Sequence, residues 1–123
     1  NDETIKYVKE RKQLNKRLSQ FQNTQFEIAE MRTTMDAAQL LVYRAACAKE
    51  KKEPYGHLAA MAKMFAATAA SDVTRRCLQL HGGYGYTREY PIERMMRDAK
   101  ITEIYEGTTE VQKMVVASYL KVN

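Results

Sequence analysis

Two stretches in the last third of the chain carry residue types that could do chemistry. The first runs Gln79, Leu80, His81, Gly82, Gly83, Tyr84, Gly85, Tyr86, Thr87. Three glycines in four positions exceed what a helix stop needs. One serves as a left-handed cap, and the others let the backbone approach a bulky group such as a pyrophosphate. The second stretch runs Ile104, Tyr105, Glu106, Gly107, Thr108, Thr109, and places Glu106 just ahead of an expected helix start. Free amides at such a start carry partial positive charge and favour anions. Glu106 is then either a cap-region glutamate or a general base held on a turn, with Gly107 leaving space for a substrate beside it. Spacing alone leaves both readings open, as it leaves a plain interhelical loop open for the glycines.

The elements that must position these stretches read as helices, because nothing alternates over enough residues to argue for a sheet. A first helix is expected near residues 2 to 12, with Ile5 and Val8 on one side, followed by a connection from Leu14 to Leu18. Ser19 and Gln22 offer a capping box for a long second helix. Its apolar stripe is Ile28, Met31, Met35, Ala38, Leu41 and Ala45. Charge from Lys49 to Glu53 breaks that stripe, and Pro54 suits the opening position of a third helix. Leu58, Met61, Phe65, Ala69, Val73, Cys77 and Leu80 keep the helical period there, among alanines that permit close approach to an antiparallel neighbour. The glycines end it. Pro91 marks a short fourth helix through Met95 and Met96, and Thr109 with Gln112 offers a second capping box before a last helix with Val111, Met114, Val115, Ser118 and Val122. The expected fold is all-α, an up-and-down four-helix bundle with an additional short helix.

Composition supports folding and says little else. A chain of 123 residues suits one domain over 1–123, and 45% hydrophobic with 28% charged residues is ordinary for a globular protein. The formal charge of +5 comes from 20 Lys and Arg against 15 Asp and Glu, interleaved rather than segregated. A solvated helix surface explains that balance better than nucleic-acid binding does. Cys47 and Cys77 sit inside helical patterns, apart from any CxxC or Cys/His cluster at metal spacing, so a reducing compartment is expected and no metal site is assigned. His57 and His81 lack the partners a zinc site needs. No run approaches the roughly 18 apolar residues of a membrane helix. The chain opens on Asn1 inside a helical pattern, which is expected of a piece of a longer protein.

An ordered series of short matches resembles the acyl-CoA dehydrogenase family over nearly the whole chain. Tyr7 to Gln13 resembles the family helix ending in Glu-Arg-Lys-Gln, Phe21-Gln22 its Phe-Gln, and Glu30-Met31 its Ala-Glu-Met. The alanine-rich third helix follows, then the GGYGY corner, EYP at Glu89 to Pro91, MRDAKI at Met96 to Ile101, and YEGT at Tyr105 to Thr108. The sequence departs from the family pattern at Leu14, Asn15 and Arg17, where members usually carry Phe, Gly and Pro. Asn tolerates a left-handed backbone, so a turn survives at Asn15.

The resemblance implies a C-terminal helical domain that joins two others to enclose FAD and an acyl-CoA. It implies that Glu106 removes the α-proton while the β-hydrogen leaves as hydride to the flavin. It implies that Arg11 and Gln22 reach the flavin dinucleotide of a neighbouring subunit. Gln79, Gly82 and Gly83 are similar to the corner along the adenosine diphosphate portion, Thr108 and Glu110 to the helix start that meets the cofactor, and Gly107 to a substrate-contacting position. Glu106 argues against branches that place the base on another helix, and TEIYEGT with HGGYGYTREYP looks most like short-chain, butyryl-type bacterial members. The implied acceptor is electron-transfer flavoprotein, the implied assembly a tetramer, and the implied location the bacterial cytoplasm or the mitochondrial matrix of a eukaryote. Residues 1–123 alone are expected to bind FAD poorly and to be inactive. Two rival classes are a helical interaction module, which predicts Glu106 and the glycine corner in no shared cleft, and a DNA-binding surface, which needs clustered cations.

Overall fold

The computed structural model describes residues 1–122. Its helices are α1 (Asp2–Glu10), α2 (Gln22–Glu50), α3 (Gly56–His81), α4 (Ile92–Thr102) and α5 (Thr109–Tyr119). One hairpin joins α1 to α2, formed by β1 (Lys12–Gln13) and β2 (Lys16–Arg17). The architecture is the all-α bundle, with α3 at its centre in contact with α1, α2, α4 and α5.

Side-chain pairs at both ends of the two long helices show that α2 and α3 run antiparallel. Near the start of α2, Met31 Sδ lies 3.7 Å from Cys77 Sγ, while near its end Ala45 and Ala48 pack on Leu58 and Ala62. Met31, Val73, Cys77 and Ile92 form a core, and burying an apolar side chain of this size contributes about 1.5–3 kcal/mol. Arg76 joins the same helices at the core's edge, donating to Glu27 at 2.7 Å and Glu30 at 2.6 Å. The Arg76 hydrogen bond holds the Glu27 carboxyl below its usual range.

Several boundaries differ from the sequence reading, each for a local reason. The first helix stops at Glu10, because Leu14 (φ 51°) and Asn15 (φ 60°) turn the chain back as a hairpin. Asn15 takes the left-handed backbone that its residue type permits. The Ser19–Gln22 capping box does not form. Gln20 Oε1 instead accepts from the Arg17 amide at 2.8 Å and closes a short 3-10 turn, Leu18–Gln20. Pro54 stays outside α3, which begins at Gly56 after Lys52 turns left-handed at φ 59°. The amide of Glu53 reaches back to Ala48 and that of Lys52 to Lys49, so the end of α2 is a closed Schellman-type turn. The Thr109–Gln112 capping box does not form either: Thr108 is the cap and accepts from the Val111 amide at 3.3 Å, while the Gln112 side chain turns to the Glu106 and Gly107 carbonyls.

Two apolar expectations also change. Met35 and Phe65 are exposed rather than core, and Cys47 is exposed while Cys77 is buried. On α5, Val111, Met114 and Val115 face outward, and no residue of that helix is fully buried. Among the described residues no helix is long and apolar enough to cross a membrane.

Candidate functional site

Glu106 sits on the bend between α4 and α5, and the backbone there is unusual. Glu106 (φ 57°) and Gly107 (φ 95°) are consecutive left-handed residues. For a glutamate that conformation costs roughly 1–2 kcal/mol, so it persists only where neighbours over-determine it. Lys63, one turn into the apolar part of α3, supplies the constraint. Its ammonium donates to the carbonyls of Thr102 at 2.6 Å, Tyr105 at 3.0 Å and Gly107 at 2.8 Å. It also stands 6.0 Å from the centre of the Tyr105 ring. From the other side, the Gln112 amide lies 3.4 Å from the carbonyls of Glu106 and Gly107. A Cβ on Gly107 would meet only the tip of the Gln112 side chain, at 2.6 Å, which can swing aside, so it is the backbone at φ 95° that favours glycine here. The bend's carbonyls are gathered inward, and Glu106 itself is solvent-exposed.

The sequence patterns above do not single out Lys63. Its signal is a single cation within Ala59-Ala60-Met61-Ala62-Lys63-Met64-Phe65, an apolar run in which an ammonium needs acceptors. What those acceptors are depends on a contact more than forty residues away, which the run does not reveal.

The glycine corner is built at the opposite end of α3. Gly82 (φ 63°) terminates the helix, and Gly82–Tyr86 continues as a 3-10 turn. Gly85 is buried against α3, where a Cβ would stand 2.7 Å from His81 Cβ and 2.9 Å from the Leu78 carbonyl oxygen. Gly82 and Gly83 face the other way, with no atom within 4 Å of where a Cβ would be. They border a cleft of about 510 Å³ whose lining also includes Arg11, Gln79, His81, Tyr84 and Thr24. Arg11 places its guanidinium 5.4 Å from the centre of the Tyr84 ring. His81 is buried and stacked on Tyr7 with ring centres 4.4 Å apart. Because Nδ1 lies 2.8 Å from the Cys77 carbonyl, it must carry the proton, which leaves Nε2 as a buried acceptor without a partner among the described residues.

Arg11, Gln79, Gly82 and Gly83 therefore meet in one cleft. Gln22, the exposed first residue of α2, is not among its lining residues. Glu106, Gly107, Thr108 and Glu110 do not line it either and stand together at the start of α5. Lys63, which holds their bend, precedes Gln79 by sixteen residues of continuous helix, a separation of about 24 Å at 1.5 Å per residue. Within one chain the two stretches do not form a single pocket.

The cleft suits a dinucleotide diphosphate on its own terms. Its volume matches small-molecule sites, two glycines leave the backbone open to close approach, and a guanidinium offers charge. The bend suits a base, since an exposed carboxylate is displayed on backbone that cannot easily relax.

Comparison with known proteins agrees with these assignments of fold. Residues 1–121 match the family model described as acyl-CoA dehydrogenase, C-terminal domain. The chain is 53% identical over 116 residues to the short-chain-specific acyl-CoA dehydrogenase of Clostridium acetobutylicum, covering 94% of this chain and 31% of that protein. It is 48% identical to the caffeyl-CoA reductase-Etf complex subunit CarC of Acetobacterium woodii, over 97% of this chain and 31% of that one. Butyryl-CoA dehydrogenase from Megasphaera elsdenii superimposes with a TM-score of 0.96 at 48% identity, covering 98% of this chain and 31% of that structure. The chain thus spans about a third of the length of the relatives it matches.

Proposed function

This chain belongs to the acyl-CoA dehydrogenase family as its C-terminal domain, and from that premise we propose that Glu106 is the base of a flavin-dependent α,β-dehydrogenation of short-chain acyl-CoA. The observation that carries the reading is the Glu106–Gly107 bend, where a carboxylate stands exposed on left-handed backbone tied down from two helices. Such a bend orients its side chain without help from that side chain's own contacts. Substrate covering Glu106 excludes water, which raises the basicity of the carboxylate toward that needed for a weakly acidic α-carbon. The α-proton passes to a Glu106 oxygen, the β-hydrogen leaves with its electron pair, and the Cα–Cβ bond becomes double. Bound FAD supplies the two-electron acceptor for that hydride. In the reverse direction the same residue, protonated, returns the proton to Cα, which accommodates a family that includes a protein named as a reductase.

The separation of the two stretches, which the interaction-module reading also expects, fits a site shared between copies. In this reading Arg11, Gln79, Gly82 and Gly83 hold the adenosine diphosphate portion of a FAD whose reacting end lies with another subunit, and Gln22 borders that set. Thr108 and Glu110 meet the cofactor beside Glu106 of their own chain, and Gly107 makes room for the thioester. The exposed apolar side chains of α5 suit burial against further protein, in keeping with a tetramer of the whole enzyme. Electron-transfer flavoprotein is the proposed acceptor, and the proposed location is the bacterial cytoplasm or the mitochondrial matrix.

The test is Glu106→Gln in the whole enzyme, assayed with butyryl-CoA and an artificial acceptor. Turnover is expected to fall about 100- to 10,000-fold with flavin content unchanged. Wild-type turnover with intact flavin would remove Glu106 from this role.

A further inference from the structure

Lys63 has no role in the chemistry described so far, yet its ammonium is fully committed. It carries three N–H groups, and each has a backbone carbonyl at 2.6–3.0 Å. Two of those carbonyls, of Tyr105 and Gly107, flank Glu106 directly in the chain, and the third belongs to the last residue of α4. No donor is left over for a ligand, so the ammonium can act only through the backbone it holds. We propose that Lys63 is the positioning residue for Glu106. It draws the carbonyls on both sides of the glutamate toward α3 and thereby fixes the outward direction of the carboxylate.

The geometry accounts for the residue type. Three carbonyls converging on one point match a compact ammonium with three rotatable donors, whereas a planar guanidinium presents its donors as a fork. A cation also complements the negative end of α4, where Thr102 presents one of the carbonyls that the helix leaves unpaired. The Gln112 contacts, at 3.4 Å, are too long to replace these bonds. Without Lys63 the bend retains its sequence but loses the strongest reason to stay left-handed at Glu106.

This inference rests on Glu106 being the base, so its test must separate the two. Acetyl-CoA has α-protons and no β-carbon, so exchange of its α-protons with deuterium in D2O reports the base without hydride transfer. The whole flavin-loaded enzyme is compared with Lys63→Met, Lys63→Arg and Glu106→Gln, using saturating acetyl-CoA for exchange and butyryl-CoA for turnover. Lys63→Met is expected to keep its flavin and to lose exchange and kcat together by about 10- to 100-fold, as a carboxylate misplaced by about 1 Å would, with KM little changed. Lys63→Arg should fall between it and wild type. Wild-type exchange in every folded Lys63 variant, while Glu106→Gln is inactive, overturns the positioning role and leaves the base intact. Wild-type exchange in Glu106→Gln overturns the base itself and the inference with it.

Discussion

The glycines of the corner divide into one that the fold needs and others that remain free for a ligand. Gly85 is pressed against His81 and Leu78, so Gly85→Ala must displace backbone. A loss of roughly 1–3 kcal/mol is expected, seen as a lower urea midpoint. Gly83 has open space around it and no left-handed φ. Gly83→Ala should leave the unfolding free energy within about 0.5 kcal/mol of wild type yet reduce the flavin-to-protein absorbance ratio of the whole enzyme. Equal flavin content in the two proteins would show that Gly83 does not border the cofactor. Their sequence spacing identified the corner but not this division, because which glycine faces inward depends on how the 3-10 turn leans on α3.

At the scale of elements, the hairpin between α1 and α2 is where conformation and composition disagree most. Leu14 is 88% exposed with φ 51°, a strained backbone with almost no compensating contact in this chain. Leu14→Asn, which suits a left-handed turn, should stabilise the isolated chain by about 0.5–1 kcal/mol, measured by urea unfolding. An unchanged or lower midpoint would show that the left-handed backbone at Leu14 is not a source of strain. Strands of two residues leave no alternating pattern, which is why this hairpin read as a plain connection. The long helices were legible because α2 and α3 bury faces over many turns, and a 3.6-residue period accumulates. Their ends were less so. Ser19 and Thr109 have the right chemistry for caps, but α2 begins after Phe21 with no side-chain cap, while Gln20 closes the preceding 3-10 turn, and α5 takes its cap from Thr108. Met35 and Phe65 show the same limit: a stripe fixes the period of a face, not its width.

At the scale of the whole molecule, the central feature is the helical span of about 24 Å between the bend at Glu106 and the glycine corner. Motif resemblance picked out residues at both ends, yet a linear sequence does not state that they stand at opposite ends of one helix. That became visible only once α3 was a continuous rod with Lys63 near one end and Gln79 near the other. The apolar residues of α5 were likewise legible only in part: Val111, Met114 and Val115 have the composition of a core, but nothing in this chain covers them. The rest of the relatives' length can cover α5, whereas the separated stretches fit the proposed site between copies, and subunit mixing tests that proposal most directly. Two whole-enzyme variants would be co-expressed, one carrying Glu106→Gln and the other Arg11→Ala with Gln79→Ala, each inactive alone. In a random one-to-one assembly half of the pairs are mixed, and each mixed pair retains one site with an intact base and an intact corner. The account predicts recovery of about a quarter of wild-type turnover. Mixed assemblies, verified by two affinity tags, that turn over no faster than either variant alone would contradict it.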